Sequence, residues 1–239
     1  MRNLLVVVMF LAGISLLVGT TILAQGSRSR ERDIQEGKML FHWKDSPTGI
    51  ACIHCHADFN EKKEPDAHVR PAHPLFNGGF RAEWQSWDGR KITTLDLAIS
   101  TCMQRWITER GEDGGKTPAK HQIRQLKAYL KSDKLSPEKK SKPIEPNFTK
   151  KLPRESALRV GDPKLGSTVF RKSCIICHAT DGSGPAPSLL RNGYSRYQIA
   201  KKIREIDNPG LNGLVMPPFP MDRLSDRQLI NVVAFVYQM

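Results

Sequence analysis

Two short runs constrain this chain more than anything else in it: Cys52-Ile53-His54-Cys55-His56 and Cys174-Ile175-Ile176-Cys177-His178, both C-x-x-C-H. Two thiols separated by two residues can each add to one vinyl group of the same porphyrin. The histidine after the second thiol then stands under the iron as its proximal ligand. The spacing marks covalent haem attachment, and it occurs twice. A tether of this kind holds the haem in a domain too small to enclose it fully. A redox dithiol needs a βαβ context, and strand-favouring alternation is scarce here. A zinc site needs further Cys or His beside each pair, and residues 158–239 hold no others. The expected cofactors are therefore two covalently bound haem c groups. Cys52, Cys55, Cys174 and Cys177 are the attachment points, and His56 and His178 are iron ligands.

Around the motifs runs a weak internal repeat. Gly37-x-x-Leu40-Phe41 precedes the first and Gly166-x-x-Val169-Phe170 the second. Ala128-Tyr129-Leu130 and Ala234-Phe235-Val236 follow them. Asp162-Pro163 fits a helix start, with Asp as cap and Pro in the first turn. Ser225 fits the cap of a last helix in which Leu229, Val232, Val233 and Val236 recur at helical spacing. Thr93 or Thr94 starts a helix on which Leu95, Ile99, Cys102 and Trp106 share a face. The fold class expected is all-α. Two small helical haem domains, 28–134 and 158–239, are joined by a Lys/Pro-rich linker over 135–157. A linker so poor in apolar residues is expected to run extended and solvated.

The sixth iron ligands are read from what remains. In the second half the only histidine is already used, which leaves Met216, Met221, Met239 and lysines. Met216 stands in Met216-Pro217-Pro218-Phe219, where prolines stiffen an extended loop, so it is taken as the ligand with Met221 as the fallback. In the first half His42, His54, His68, His73, Met103, His121 and Cys102 are all available. Of five cysteines, four are bound to haem and Cys102 is left over. It faces the apolar side of its helix, either as a thiolate ligand or as a small buried hydrophobe, with Met103 beside it as the runner-up ligand and the histidines read as surface or core residues.

Residues 1–27 stand apart. Leu4 to Ala24 carries no charge and is long enough to cross a bilayer core. It reads as a cleaved secretory signal or as a retained N-terminal membrane anchor. Arg28, Arg30 and Arg32 behind it argue against export on the positive-inside rule. Haem attachment overrides that argument and puts the chain in the periplasm. The net charge of +13 suits an acidic redox partner, donor or acceptor, or small anions drawn into a cleft. No nucleic-acid-binding motif is present, so nucleic acid is not expected as a partner.

From Gly166 and Phe170 through Cys174–His178 and Met216-Pro217-Pro218 to the last helix, the second half resembles a class I cytochrome c domain. The resemblance implies helices wrapped round the haem, with the first and last crossing near Gly166 and Phe235. The first half, through Gly79-Phe80-Arg81-Ala82-Glu83-Trp84 and Thr94-Leu95-Asp96-Leu97-Ala98-Ile99-Ser100-Thr101-Cys102, is similar to the haem domains of sulfur-oxidising cytochromes. These are the SoxA subunits and the dihaem thiosulfate dehydrogenases. Both halves are thus expected to be cytochrome c-like. The second resemblance implies Cys102 as a ligand of a catalytic haem and a small anionic sulfur substrate, thiosulfate. Arg81, Arg90 and Arg105 become candidates for holding that anion. Two function classes stay open: a pure electron carrier, and an oxidoreductase with Cys102 and Arg105 at its centre.

Overall fold

The structure, a computed structural model, describes residues 25–43, 45–111, 114–149, 151–179, 184–205 and 216–239. The apolar run expected as leader or anchor lies outside these residues. Among the described residues no helix is long and apolar enough to cross a membrane.

The repeat noticed in the sequence becomes a repeated helix crossing. Helix α1 covers 25–41, and α4 covers Lys120–Leu130. At Gly37 they approach so closely that an added Cβ would fall 2.0 Å from the Gln125 carbonyl oxygen. One turn on, the Phe41 and Tyr129 rings meet edge to face at 5.8 Å. The second half repeats the arrangement with α6 (Pro163–Ser173) and α8 (Asp226–Tyr237). A Cβ on Gly166 would fall 2.0 Å from the Asn231 carbonyl oxygen, and Phe170 meets Phe235 at 5.3 Å. Only a residue without a side chain permits such contact between helix backbones.

Local chemistry explains where the helices begin. Asp162 accepts from the Lys164 and Leu165 amides at the start of α6. Ser225 forms a reciprocal pair of bonds with Gln228 at the start of α8, and Ser195 does so with Gln198 ahead of α7 (Arg196–Arg204). Thr94 caps α3 (Leu95–Trp106) by accepting from Leu97 N–H. Each side-chain oxygen satisfies an amide that the helix leaves unpaired. The described residues are mostly helical. Their strands are four two-residue pieces in two antiparallel hairpins: β1 (Trp84–Gln85) with β2 (Lys91–Ile92), and β3 (Arg110–Gly111) with β4 (Gly114–Gly115).

Buried apolar side chains form two clusters. One gathers Phe41, Ile99, Met103, Trp106, Leu126 and Tyr129. The other gathers Leu158, Phe170, Ile203, Leu229, Val232 and Val233. The stretch between them differs from the solvated connection expected. Leu135 and Ser136 are fully buried in the first cluster, and the Ser136 hydroxyl donates to the Leu130 carbonyl. Further on, Ile144, Pro146 and Phe148 form part of a cleft wall in the first half. Lys139, Lys140, Lys142 and Lys151 are exposed. The few apolar residues among them are spaced so that an extended backbone, which has no internal hydrogen bonds, presents them to one side.

The two halves also touch directly. Val69 N–H donates to the Lys172 carbonyl at 2.9 Å. Arg223 grips Glu61 with two bonds of 2.9 and 3.0 Å and donates a third, of 2.9 Å, to the Arg70 carbonyl.

Candidate haem-attachment sites

The first motif lies on a single helical turn, α2 (Cys52–Cys55), closed by His56 N–H donating to the Cys52 carbonyl at 2.8 Å. The His56 Nδ1 stands 2.7 Å from the His73 carbonyl oxygen. Nδ1–H is therefore the donor, and Nε2 keeps its lone pair for a metal. Burial, the largest influence on this ring, lowers its pKa to about 4, so the imidazole is neutral as ligation requires.

The second motif shows the same construction. Cys174–Cys177 forms a turn running on from α6. His178 N–H donates to the Cys174 carbonyl at 2.8 Å, and His178 Nδ1 stands 2.8 Å from the Pro187 carbonyl oxygen. Burial also lowers the pKa of His178. In both motifs the carbonyl of the second cysteine accepts an alanine amide, Ala72 at 3.1 Å and Ala186 at 3.0 Å.

These alanines expose a recurrence that the sequence reading missed. Pro71-Ala72-His73 and Pro185-Ala186-Pro187 do the same job. The alanine amide ties back to the cysteine motif, and the next carbonyl orients the ligand ring. The repeated Pro-Ala pair was visible. Its differing distance from each motif hid it, because the loops between have unequal lengths.

Cys52, Cys55 and His56 line one cleft, about 1250 Å³ with the solvent-open space at its mouth included, roofed by α3 and flanked by the β1–β2 hairpin and the linker. Its walls are largely apolar, including Phe41, Leu95 and Ile99. Burial raises the pKa of all the motif thiols, to about 12 at Cys174 and about 11 at Cys177. With their thiols neutral, Cys52 and Cys55 face the apolar space of this cleft. Thiols, a neutral imidazole with a free Nε2 and an apolar cavity together fit a covalently held haem.

Of the first-half ligand candidates, Cys102, Met103 and His73 line this cleft. His42 is bound to Asp58 at 2.8 Å, His54 accepts from Ala51 N–H at 2.8 Å, His68 is half-buried away from the cleft, and His121 is exposed. His73 sits on the His56 side, and its Nε2 lies 2.7 Å from Asp222. Met103 is 2% exposed and packed into the core. Cys102 is half-buried in the cleft and close enough to Cys52 and Cys55 to raise the pKa of both. Its own thiol is pushed up to about 11 by burial.

The arginines divide. Arg81 lines the cleft beside Trp84, its guanidinium 4.5 Å from the indole ring, and desolvation lowers its pKa to about 10. Arg90 is tied to Asp88 on the surface. Arg105 is on the last turn of α3 and is not part of the cleft wall.

In the second half Met216 packs against the apolar cluster. The residues after it are stapled by Arg204, which is 4% exposed. Its guanidinium donates to the Phe219 carbonyl at 2.7 Å, to the Leu224 carbonyl at 2.6 Å and to Asp226 at 3.1 Å. Sequence reasoning missed Arg204 because a buried arginine looks like any basic residue on a helix. Met221 is held through its backbone to the Asn147 carbonyl at 2.9 Å, and Met239 packs at the edge of the same cluster. Pro217 and Pro218 reach across to line the first cleft. Residues 180–183 and 206–215, which precede the Met loop or follow the second motif, lie outside the described residues.

Comparison with known proteins places the second half. Residues 161–236 match the family model described as cytochrome C oxidase, cbb3-type, subunit III. Cytochrome c6 of Bryopsis maxima is 31% identical over 81 residues, which is 33% of this chain and 92% of that protein. By these C-terminal residues, with their turn-borne thiols and anchored imidazole, the chain belongs to the cytochrome c family.

Proposed function

We infer that this chain is an exported dihaem cytochrome. A cytochrome c domain carries covalently bound haem c and exchanges electrons with a redox partner. One haem is held by 28–134 and one by 158–239, and electrons pass between them and on to an acidic partner. The observation that carries the reading is the duplicated ligand geometry. Both C-x-x-C-H histidines give Nδ1–H to a backbone carbonyl, at 2.7 and 2.8 Å, and keep Nε2 free.

Bound haem supplies a one-electron ferric/ferrous couple. The chain does the rest. Cys52 with Cys55, and Cys174 with Cys177, fix the position of each group. The His73 and Pro187 carbonyls orient the proximal rings and increase their basicity. Met216 offers a soft thioether that raises the potential at the second site, and Cys102 offers a thiolate that lowers it at the first. The basic surface steers an acidic partner, and Leu4–Ala24 directs the chain to the periplasm, cleaved or retained as an anchor. The test is haem stoichiometry in protein from a host competent in cytochrome c maturation. Two haems per chain are expected, falling to one in Cys52→Ser/Cys55→Ser. A single haem in the unaltered chain refutes the dihaem reading.

A second reading is favoured by the place of Cys102 in an open cleft beside Arg81. The first site would oxidise thiosulfate, joining two thiosulfates through a new S–S bond as tetrathionate and releasing two electrons, which the acceptor protein takes up one at a time. Turnover of thiosulfate with an artificial acceptor supports it. No turnover by the dihaem protein leaves the pure carrier.

A further inference from the structure

The side of the second half that carries its cysteine motif faces the first half. Val69 N–H donates to the Lys172 carbonyl just ahead of the motif. A Cβ on Gly49 would fall 3.0 Å from the Pro185 Cβ, and Cys177 lies close enough to Cys55 to raise its pKa. Contacts between the halves take up that side, so a partner that leaves them docked approaches from another face. Such a face lies where α7 begins and α8 ends. Leu190, Tyr197 and Tyr237 are 52%, 47% and 47% exposed. Contacts join the pieces: Arg191 N–H donates to the Met239 carbonyl at 3.2 Å, Asn192 Nδ2 donates to the Val236 carbonyl at 3.2 Å, and the Arg196 guanidinium lies 3.8 Å from the Tyr237 ring centre. Arg191 is exposed, and Arg196 Nε is out of contact with water without a hydrogen-bond partner. From Ala186 to Arg204, and again from Ala234 to Met239, the sequence holds no Asp or Glu. Single exposed apolar side chains are ordinary, but tyrosine, arginine and leucine gathered in one patch have the make-up of an interface centre. A patch with cations and no side-chain carboxylate turns away basic proteins and favours acidic ones. It is also close to the second haem site along the chain. The Pro187 carbonyl holds the His178 ring, and three residues on the chain surfaces at Leu190.

We propose that this face, centred on Leu190, Arg196 and Tyr237, docks the protein that exchanges electrons with the second haem, a partner whose own face is an apolar centre rimmed by carboxylates. The proposal rests on the electron-transfer reading and gives the acidic partner its place on the chain. Leu190 and the tyrosines form the dry centre, and Arg191 and Arg196 pair with the carboxylates around it. In the outward direction one electron leaves ferrous iron, which becomes ferric, and reduces the redox centre of the partner. No bond forms or breaks.

The experiment is stopped-flow oxidation of the reduced full-length dihaem protein by two acceptors. One is an acidic plant-type plastocyanin, used as a probe with a carboxylate-rimmed face. The other is tris(phenanthroline)cobalt(III), a small cation that needs no docking. The variants are Arg191→Gln/Arg196→Gln, Tyr237→Ser and, removing two charges from the linker instead, Lys139→Gln/Lys140→Gln. With plastocyanin at low salt the arginine variant reacts about tenfold more slowly and loses most of its salt dependence, while the linker variant slows by about twofold or less. Tyr237→Ser is slowed at low and high salt alike, because apolar contact is not screened. With the cobalt complex every variant reacts as the unaltered protein does. An arginine variant no slower than the linker variant overturns the proposal. So does a slowing that appears equally with the cobalt complex, which puts the effect in the haem and not in docking. A dimer of the unaltered protein in sedimentation, dissociated by the same substitutions, gives the face to a second copy and overturns it as well. A missing first haem fails the dihaem reading alone, since the comparison needs only the haem of 158–239.

Discussion

Arg223→Gln tests how firmly the two proposed haem sites are held against each other. The Arg223 and Glu61 side chains are 14% and 17% exposed, and two bonds join them. Breaking a buried pair by removing one partner costs about 3–5 kcal/mol, because the remaining charge stays desolvated. Here part of that is recovered, since Arg70 lies 3.8 Å from Glu61 and stays. Arg70 is already bound by Asp66, however. The expected loss is therefore about 2–3 kcal/mol of docking free energy, roughly 30- to 150-fold in the docked-to-open ratio. The linker docks with the same loop, through Met221 N–H to the Asn147 carbonyl. Limited proteolysis at its lysines therefore reads the open population. Cleavage should quicken by about that factor in Arg223→Gln. Glu61→Gln/Arg223→Gln should be cut more slowly than the two single effects combined, because no unpaired charge remains. Single effects that multiply in the double variant, with coupling below about 0.5 kcal/mol, would refute the reasoning.

Other expectations follow from the same contacts. Gly166→Ala and Gly37→Ala should each lose about 3 kcal/mol or more in chemical unfolding, because a Cβ 2.0 Å from a carbonyl oxygen forces the helices apart. A change below 1 kcal/mol at either site contradicts the repeated crossing. Cys102→Ala should abolish a low-spin thiolate-type EPR signal and raise the potential of the first haem, and a spectrum identical to the parent's makes Cys102 a packing residue. Met216→Ala should remove the near-infrared sulfur-to-iron band and lower the potential of the second haem, whereas a band that persists moves the assignment to Met221. Ser225→Ala, which deletes the cap of α8, should cost about 1 kcal/mol, measured by thermal unfolding.

The helices and both motifs were legible in the sequence because they depend on local chemistry. Asp162, Ser225 and Thr94 cap where their side chains can reach the next turn, and the Gly-to-aromatic spacing set both crossings. What could not be read depends on distance in space. Nothing near Glu61 in sequence announces Arg223, and Arg204 carries no local sign that it staples the loop after Met216. The linker misled for a different reason. Its average composition is that of a solvated segment, but Ile144, Pro146 and Phe148 are few and well spaced, and an extended chain needs only a few such contacts to lie along a cleft. Of the arginines suggested by resemblance, Arg81 alone lines that cleft, since the turn into the β1–β2 hairpin points it inward while Arg90 is tied to Asp88 at the surface.

The stretch from Met216 to Arg223 makes the two sites one problem. Met216 packs on the second core, Pro217 and Pro218 line the first cleft, Asp222 lies against His73, and Arg223 holds Glu61. His73 is also the residue whose carbonyl orients His56. A displacement of this loop, for whatever reason, therefore acts on the Met216 thioether on one side and on the His56 ring on the other. Two haems carried on independent domains would keep separate potentials under such a change. In the proposed dihaem protein the potentials should move together, because Met216, Pro217, Pro218, Asp222 and Arg223 of this one loop contact the surroundings of both sites.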